Sequence, residues 1–445
     1  MAMTDQENAY AAYERGVALQ QAGKPGEAVA AWWQAVRHDP AHAAAWGNLV
    51  LGLAMLGDEG RAFDACREAL AHHPRDMALL RHHVNLAYAL GDLAEGEKAS
   101  RILTALAHDD GAAWLNRGRV LKELRRHEEA EACYRHALSC GTHEETATFN
   151  LAALLLQQGK WRDGFAAYEA RLKLPGTVAC PWDVPRWTPD TASGSKILLW
   201  NDQGLGDAIM FARFAPLLAT RGCRLFACVQ QPLKSLFATV PGIEAAFDLT
   251  DAPQPMDAAL PLASLPYALG LDNVDVWNGP YLRVPEPSSF CLPPRTDDTR
   301  RIGLVWGGNA AHINDRNRSM QLADLVPLFG IPGIEWFSLQ QGDRKAELTD
   351  YPAQDLSEHL NSLSDTAGIL SQLDLLISVD TAPAHLAGAL NLPVRVLLPA
   401  IGCDWRWGSE GDRTFWYPSM RLFRQAQPRN WTPSVAAIKQ ELERS

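Results

Sequence analysis

Small and large apolar positions in the first 175 residues recur with a period of 34. Gly23, Gly57, Gly91 and Gly159 share one phase, and Arg125 takes the remaining place. Ala28, Ala62 and Ala130 share a second phase; Ala12, Trp46, Leu80 and Trp114 share a third. Pro40 and Pro74 close the first two repeats. Glycine permits the turn between two helices, alanines let them approach, and larger residues fill the space between repeats. The period predicts five helix pairs starting near residues 9, 43, 77, 111 and 145, the third the most degenerate. After Leu174-Pro175-Gly176 the pattern changes. Residues 181–189 form a proline- and tryptophan-rich connector, expected to pack against a neighbouring surface because tryptophan is highly buried on average. Short apolar runs then alternate with helical patterns. Strands are predicted at 196–200, 224–229, 257–262, 301–306, 334–340, 374–379 and 394–398. Helices are predicted at 207–221, 232–240, 322–329, 363–373 and 383–390, with a last one near 433–442. The alternation predicts two doubly wound parallel sheets, whose ligands bind beyond the carboxyl ends of the strands.

The period and residue pattern of the first part are those of the tetratricopeptide repeat. Its sixth position holds Glu14, Asn48, His82, Asn116 and Asn150, on the first helix of each repeat and toward the concave face. Asparagines stacked there can hydrogen-bond an extended peptide whatever its side chains. The alternative is that each satisfies the backbone of a neighbouring repeat. Three at one phase favour a peptide groove and make Asn48, Asn116 and Asn150 the candidate acceptor-binding residues.

Two strand tips carry the candidate chemistry. The run Leu375–Val379 ends in Asp380 and Thr381, and Ala382-Pro383-Ala384 then opens a helix with proline near its first turn. That arrangement presents N–H groups and a positive dipole end to an anion. Upstream, Lys196–Trp200 leads into Asn201-Asp202-Gln203-Gly204-Leu205-Gly206-Asp207 and another helix. Gly307-Gly308-Asn309 follows the first strand of the second half and allows close backbone approach.

Gly204-Leu205-Gly206-Asp207, together with Val379-Asp380-Thr381-Ala382-Pro383-Ala384-His385, resembles the heptosyltransferase family of GT-B glycosyltransferases. The 201–207 turn, the segment Asn314-Asp315-Arg316-Asn317-Arg318-Ser319 and Trp405-Arg406-Trp407-Gly408 are similar to a bacterial subgroup. Its members join tetratricopeptide repeats to such a transferase, and some are implicated in glycosylating flagellins and other proteins. The layout also resembles the O-linked N-acetylglucosamine transferases. The resemblance spans nearly the whole chain and implies an α + α/β fold: a tetratricopeptide solenoid (1–175), a connector (176–194), and the two Rossmann-like halves of a GT-B domain (195–290 and 291–445). It implies an inverting, metal-independent transfer from a nucleotide sugar to a protein acceptor, with no further cofactor. Such a displacement needs a base for the acceptor hydroxyl and stabilisation of a departing phosphate. Asp207 matches the catalytic aspartate of the family, with helix capping as the alternative and Asp202, His312 and Asp315 as other candidates for the base. Donor contacts are expected from Gly206, Gly308, Asn309, Arg318, Ser319, Gln340, Asp380, Thr381, Ala382 and His385. Arg318 stands where relatives carry a lysine, Gln340-Gln341 would read the base, and His385 either reaches the phosphate or is structural. Trp405, Arg406, Trp407, Trp416 and Tyr417 either stack on sugar and base or form a satellite core against the C-terminal helix.

The totals constrain function further. A formal charge of −11 and a pI near 5.6 argue against a nucleic-acid partner. The N-terminus lacks the basic and apolar regions of a signal peptide, and no run reaches the ~18 apolar residues of a membrane span. Eight cysteines without C-x-x-C spacing fit a reducing compartment, so a cytoplasmic location is expected. Two alternatives stay open: a heptosyltransferase-like enzyme acting on a lipopolysaccharide-type glycan, and a repeat scaffold with a decayed transferase domain. Uridine-, adenosine- and cytidine-linked donors all remain possible.

Overall fold

The computed structural model describes residues 3–251, 254–277, 279–285, 290–295 and 299–444. It divides into two compact units, Met1–Leu151 and Ala152–Ser445. Helices α1 (Asp5–Gln21) and α2 (Pro25–His38) form the first pair, and α3 (Ala43–Met55) and α4 (Glu59–His72) the second. The third is α5 (Met77–Leu90) with α6 (Leu93–Leu106), and the fourth α7 (Gly111–Glu123) with α8 (His127–Ser139). A fifth pair, α9 (Glu144–Gln157) and α10 (Trp161–Tyr168), straddles the division, so its second helix belongs to the second unit. The pairs follow the 34-residue register. Asp58, Asp76, Asp92 and Asp110 cap α4 to α7 by accepting backbone N–H groups of the first turn. Arg125 occupies the glycine slot of the fourth turn and takes the same left-handed backbone, φ 58° against 77° at Gly57.

Within repeats, a missing side chain on the first helix makes room for a ring on the second. Gly16 faces Trp32, and a Cβ on Gly118 would lie 2.5 Å from the Tyr134 ring. Both rings are buried. Gly118→Val is therefore expected to destabilise the repeats by about 1–3 kcal/mol through overpacking. Urea unfolding checks this, and Gly118→Val combined with Tyr134→Ala should cost less than the sum of the two single losses, because the added side chain enters the space the ring vacates.

The second unit holds two parallel sheets. The first contains β1 (Lys196–Trp200), β2 (Arg224–Cys228), β3 (Ile243–Phe247) and β4 (Ala258–Pro261), in the order β3-β2-β1-β4. The second contains β5 (Arg300–Val305), β6 (Ile334–Ser338), β7 (Ala353–Asp355), β8 (Leu375–Val379), β9 (Val394–Leu398) and β10 (Met420–Arg424). Its order is β7-β6-β5-β8-β9-β10, all parallel. Counted from its own first strand this is 3-2-1-4-5-6, the dinucleotide-fold order, and the first sheet repeats its opening, 3-2-1-4. The order reverses between β1 and β4 and between β5 and β8, and crevices form there. The chain is thus α plus α/β.

All seven predicted strands are present. The three unpredicted ones, β3, β7 and β10, lie on sheet edges, where half-exposed residues interrupt the apolar run. The predicted helix 207–221 is two, α11 (Leu205–Ala212) and α12 (Ala215–Ala219), broken before Pro216. Prolines likewise reduce 232–240 and 322–329 to 3-10 turns followed by single helical turns, α13 (Lys234–Phe237) and α16 (Val326–Phe329). Between them lie α14 (Leu265–Leu269) and α15 (Asp315–Arg318). The remaining helices are α17 (Leu363–Leu370), α18 (Ala382–Ala389) and α19 (Thr432–Leu442). The connector runs along β4: Trp187 N–H donates to Ala259 O and Ala259 N–H to Pro185 O, each at 2.8 Å. Its Trp182 lies 5.9 Å from the Phe247 ring. Helix α19 covers the second sheet through Trp431, Val435, Ile438 and Leu442. No described helix is long and apolar enough to cross a membrane.

Candidate functional site

The tips of β1, β5, β6 and β8 converge on one cleft of about 840 Å³ within the second unit. Its lining includes Gly206, Asp207, Gly308, Asn309, Gln340, Asp380, Thr381, Ala382 and His385, together with three arginines, Arg318, Arg344 and Arg406. The switch point between β5 and β8 opens directly into it. All but one of the predicted donor and catalytic positions are thus brought together; the exception is Ser319.

Asp207 stands at the third position of α11, where its Oδ2 accepts the Gly204 N–H at 2.9 Å. Its Oδ1 accepts from Arg406 Nη2. Capping and ion pairing therefore coexist, using two of the roughly four acceptor positions of the carboxylate. Arg406 is buried, 6 % exposed, and also donates to Asp404 Oδ1 at 2.7 Å. Burial works against its charge, but Asp207 and Asp404 hold it protonated well above the ordinary arginine range. The first turn of α11 touches α18 where Gly206 lies against the His385 ring: a Cβ there would sit 2.7 Å from it.

On the second sheet, the two glycines after β5 lie against two arginines. A Cβ on Gly308 would be 2.4 Å from Arg318 Nη2, and one on Gly307 2.2 Å from Arg344 Cδ. Arg318 is held by Asp315 Oδ1 (3.2 Å) and Asp380 O (3.2 Å). Arg344, not among the expected donor contacts, donates to Met320 O at 3.0 Å. Its signal was the doubled glycine, which leaves room for two side chains, not one. Asp380 faces His385 Nε2 at 3.7 Å. Burial opposes its ionisation, but His385 and then Arg318 hold its carboxyl below the usual range. His385 Nδ1 meets Tyr417 Oη at 3.0 Å, and its ring stacks on Trp407.

Several expectations are revised by these contacts. Gln340 lines the cleft, but its amide is spent internally. Oε1 accepts the N–H of Trp306 (3.0 Å) and Gly307 (2.8 Å), and Nε2 donates to Gly307 O and Gln341 O. It shapes the β5 tip and has no bond left for a base. Ser319 is buried off the cleft, accepting from Gly308 N–H at 2.9 Å and donating to Asp315 Oδ1 at 2.8 Å. The Ala384 N–H is taken by Thr381 O at 3.0 Å, and Thr381 Oγ1 turns back to Val379 O and Ser378 Oγ. The α18 start therefore offers the Ala382 N–H to an anion. Asp202 and Asp315 are buried in ion pairs with Arg171 and Arg318 and do not line the cleft. His312 does; burial, then Arg318, holds its ring below the usual histidine range, and Nδ1 accepts from Asn314 N–H at 3.2 Å, placing the proton on Nε2. Trp405, Trp407, Trp416 and Tyr417 are buried core. Trp405 and Trp416 pack against rings of α10 and against Phe214, not against α19.

In the repeats, Asn48, Asn116 and Asn150 are half-buried on α3, α7 and α9, and their amides make no hydrogen bond within the described residues. They do not satisfy a neighbouring repeat.

A family model described as tetratricopeptide repeat matches residues 13–76, and a second with the same description matches residues 111–139. Among solved structures, MamA from Desulfovibrio magneticus RS-1 is 19% identical, covering 39% of this chain and 94% of that one with a TM-score of 0.34. PilF of Pseudomonas aeruginosa is 16% identical over 49% of this chain and 87% of its own, at 0.36. Beyond the repeats, the chain is similar to Protein FlbA of Caulobacter vibrioides, 26% identical over 433 residues, covering 88% of this chain and 71% of that protein.

Proposed function

We propose that this chain is a glycosyltransferase of GT-B type, acting in the cytoplasm, which moves a sugar from a nucleotide-activated donor to a protein held by its repeats. The observation that supports this best is the meeting, at one switch-point cleft, of a helix start, two glycine-backed arginines and an opposed carboxylate. A diphosphate suits Arg318, Arg344 and the Ala382 N–H. Gly308 and Asn309 bound the space beside it, and Asp380 and His385 suit sugar or ribose hydroxyls. The acceptor oxygen attacks the anomeric carbon, the bond from that carbon to the phosphate oxygen breaks, and the phosphate leaves with the electron pair. Asp207 takes the hydroxyl proton on an acceptor position that neither Gly204 nor Arg406 uses. The free amides of Asn48, Asn116 and Asn150 support a peptide acceptor over a glycan.

Donor binding is expected to be metal-independent and to rest on Arg318. Arg318→Ala should weaken nucleotide-sugar affinity by about 1.5–3 kcal/mol, the range for hydrogen bonds to charged groups. Calorimetry with and without chelator tests both statements; unchanged affinity, or an absolute need for magnesium, refutes them. The function itself is tested by a thermal-shift panel of uridine, adenosine, cytidine and guanosine diphosphate sugars. One nucleoside series should stabilise the protein, and a flat response across the panel would refute a nucleotide-sugar site.

A further inference from the structure

The first helices of repeats 2 to 4 form a contiguous layer, α5 touching both α3 and α7. Positions three and seven residues beyond the sixth lie on the same helical face as it. On α3 these are Leu51 and Met55, beside Asn48, and they are 43% and 71% exposed. On α5 the face carries His82 and Asn85, and Asn85 is exposed with no side-chain hydrogen bond within the described residues. The row of free amides therefore does not break at the third repeat but steps one turn along its helix. On α7 the face carries Asn116 and Arg119. The Arg119 guanidinium lies 4.4 Å over the Tyr88 ring and has no carboxylate partner among the described residues. The nearby acid, Glu123, is 8% exposed and is engaged by Tyr88 Oη and Lys122. One face thus runs from an exposed apolar pair, past the three amides of Asn48, Asn85 and Asn116, to a cation stacked on a ring.

We propose that this face holds an extended segment of the acceptor protein bearing a large apolar side chain over Leu51 and Met55 and a carboxylate over Arg119. Packed helices stand about 8–10 Å apart, so two steps, α3 to α5 to α7, span roughly 20 Å. Extended chain rises about 3.3 Å per residue, which sets the two side chains about six residues apart. The amides of Asn48, Asn85 and Asn116 take the backbone between them. Charge complementarity carries the choice of occupant: the Arg119 guanidinium stacks on the Tyr88 ring without a carboxylate partner among the described residues, while Glu123, on the same face, is buried and turned to Tyr88 Oη and Lys122. The proposal rests on the reading of the repeats as the acceptor-binding region, but not on the sugar chemistry.

The test is fluorescence anisotropy of the full chain with labelled Gly/Ser-based peptides carrying one leucine and one glutamate, in both orders, at separations of three to nine residues. A separation near six should bind at least about tenfold more tightly than the others. Arg119→Glu should abolish that preference and transfer it to the peptide with lysine in place of glutamate; this charge-swap rescue shows that the variant is folded. Met55→Glu should remove the leucine preference alone. Binding indifferent to separation, absence of binding by every peptide, or an unchanged preference in Arg119→Glu would overturn the proposal. Self-association of the chain lost in Arg119→Glu would assign the face to a second copy and also overturn it. Because no sugar is transferred, a protein that binds these peptides yet modifies none leaves this inference standing while refuting the enzymatic one.

Discussion

Asp207→Asn should lower turnover by about a hundredfold or more, as loss of a general base does, while donor affinity and fold are retained. The amide keeps the Gly204 N–H as a partner, so the α11 cap survives. Arg406 keeps Asp404, so its buried charge is not left alone. What disappears is an acceptor able to carry the hydroxyl proton away. Steady-state rates with donor binding measured in parallel separate the two effects. A near-normal rate in a folded Asp207→Asn protein would move the base elsewhere, and His312, which also lines the cleft, would be the first place to look.

Arg171→Met should cost about 3–5 kcal/mol, the largest stability loss expected of any single change here, because it leaves one partner of a buried ion pair alone. Arg171 follows the last repeat helix and reaches the tip of β1, where its Nε donates to Asp202 Oδ2 at 2.7 Å and Nη2 to Ser264 Oγ at 2.8 Å. The side chains are 2% and 0% exposed. Urea unfolding of the full chain measures the loss. Arg171→Met with Asp202→Leu should recover much of it, since removing both charges removes the stranded carboxylate. A loss below about 1 kcal/mol would mean that water reaches Asp202.

The repeat register was legible because several residue types agreed on one period, and it extended to Arg125, where glycine was missing but the left-handed turn was kept. The central strands were legible for a related reason: β1, β5, β8 and β9 are buried almost throughout, so their sequences are nearly continuous apolar runs. The edge strands β3, β7 and β10 lack that signal, whereas the edge strand β4, buried throughout, shows it. Convergence of the strand tips followed from topology alone, which placed Asp207, Arg318 and Asp380 in one cleft. The division of labour inside the cleft was not legible. Gln340 and Ser319 look like ligand contacts in the sequence, but their hydrogen-bonding capacity is used to hold the β5 tip, and only a count of partners reveals this. Arg344 and the Arg406–Asp207 pair connect residues distant in the chain, and pairing of that kind leaves no local pattern.

The proposed transfer of sugar by the second unit to a protein segment held by the first is tested most directly by the mass of an acceptor. Serine- and threonine-containing peptides that meet the groove specification would be incubated with the nucleotide sugar that stabilises the protein, in chelator, using wild type and Asp207→Asn side by side. The expected result is a peptide heavier by one sugar residue with wild type and unmodified with Asp207→Asn. A bound donor and a bound peptide with no mass change would contradict it.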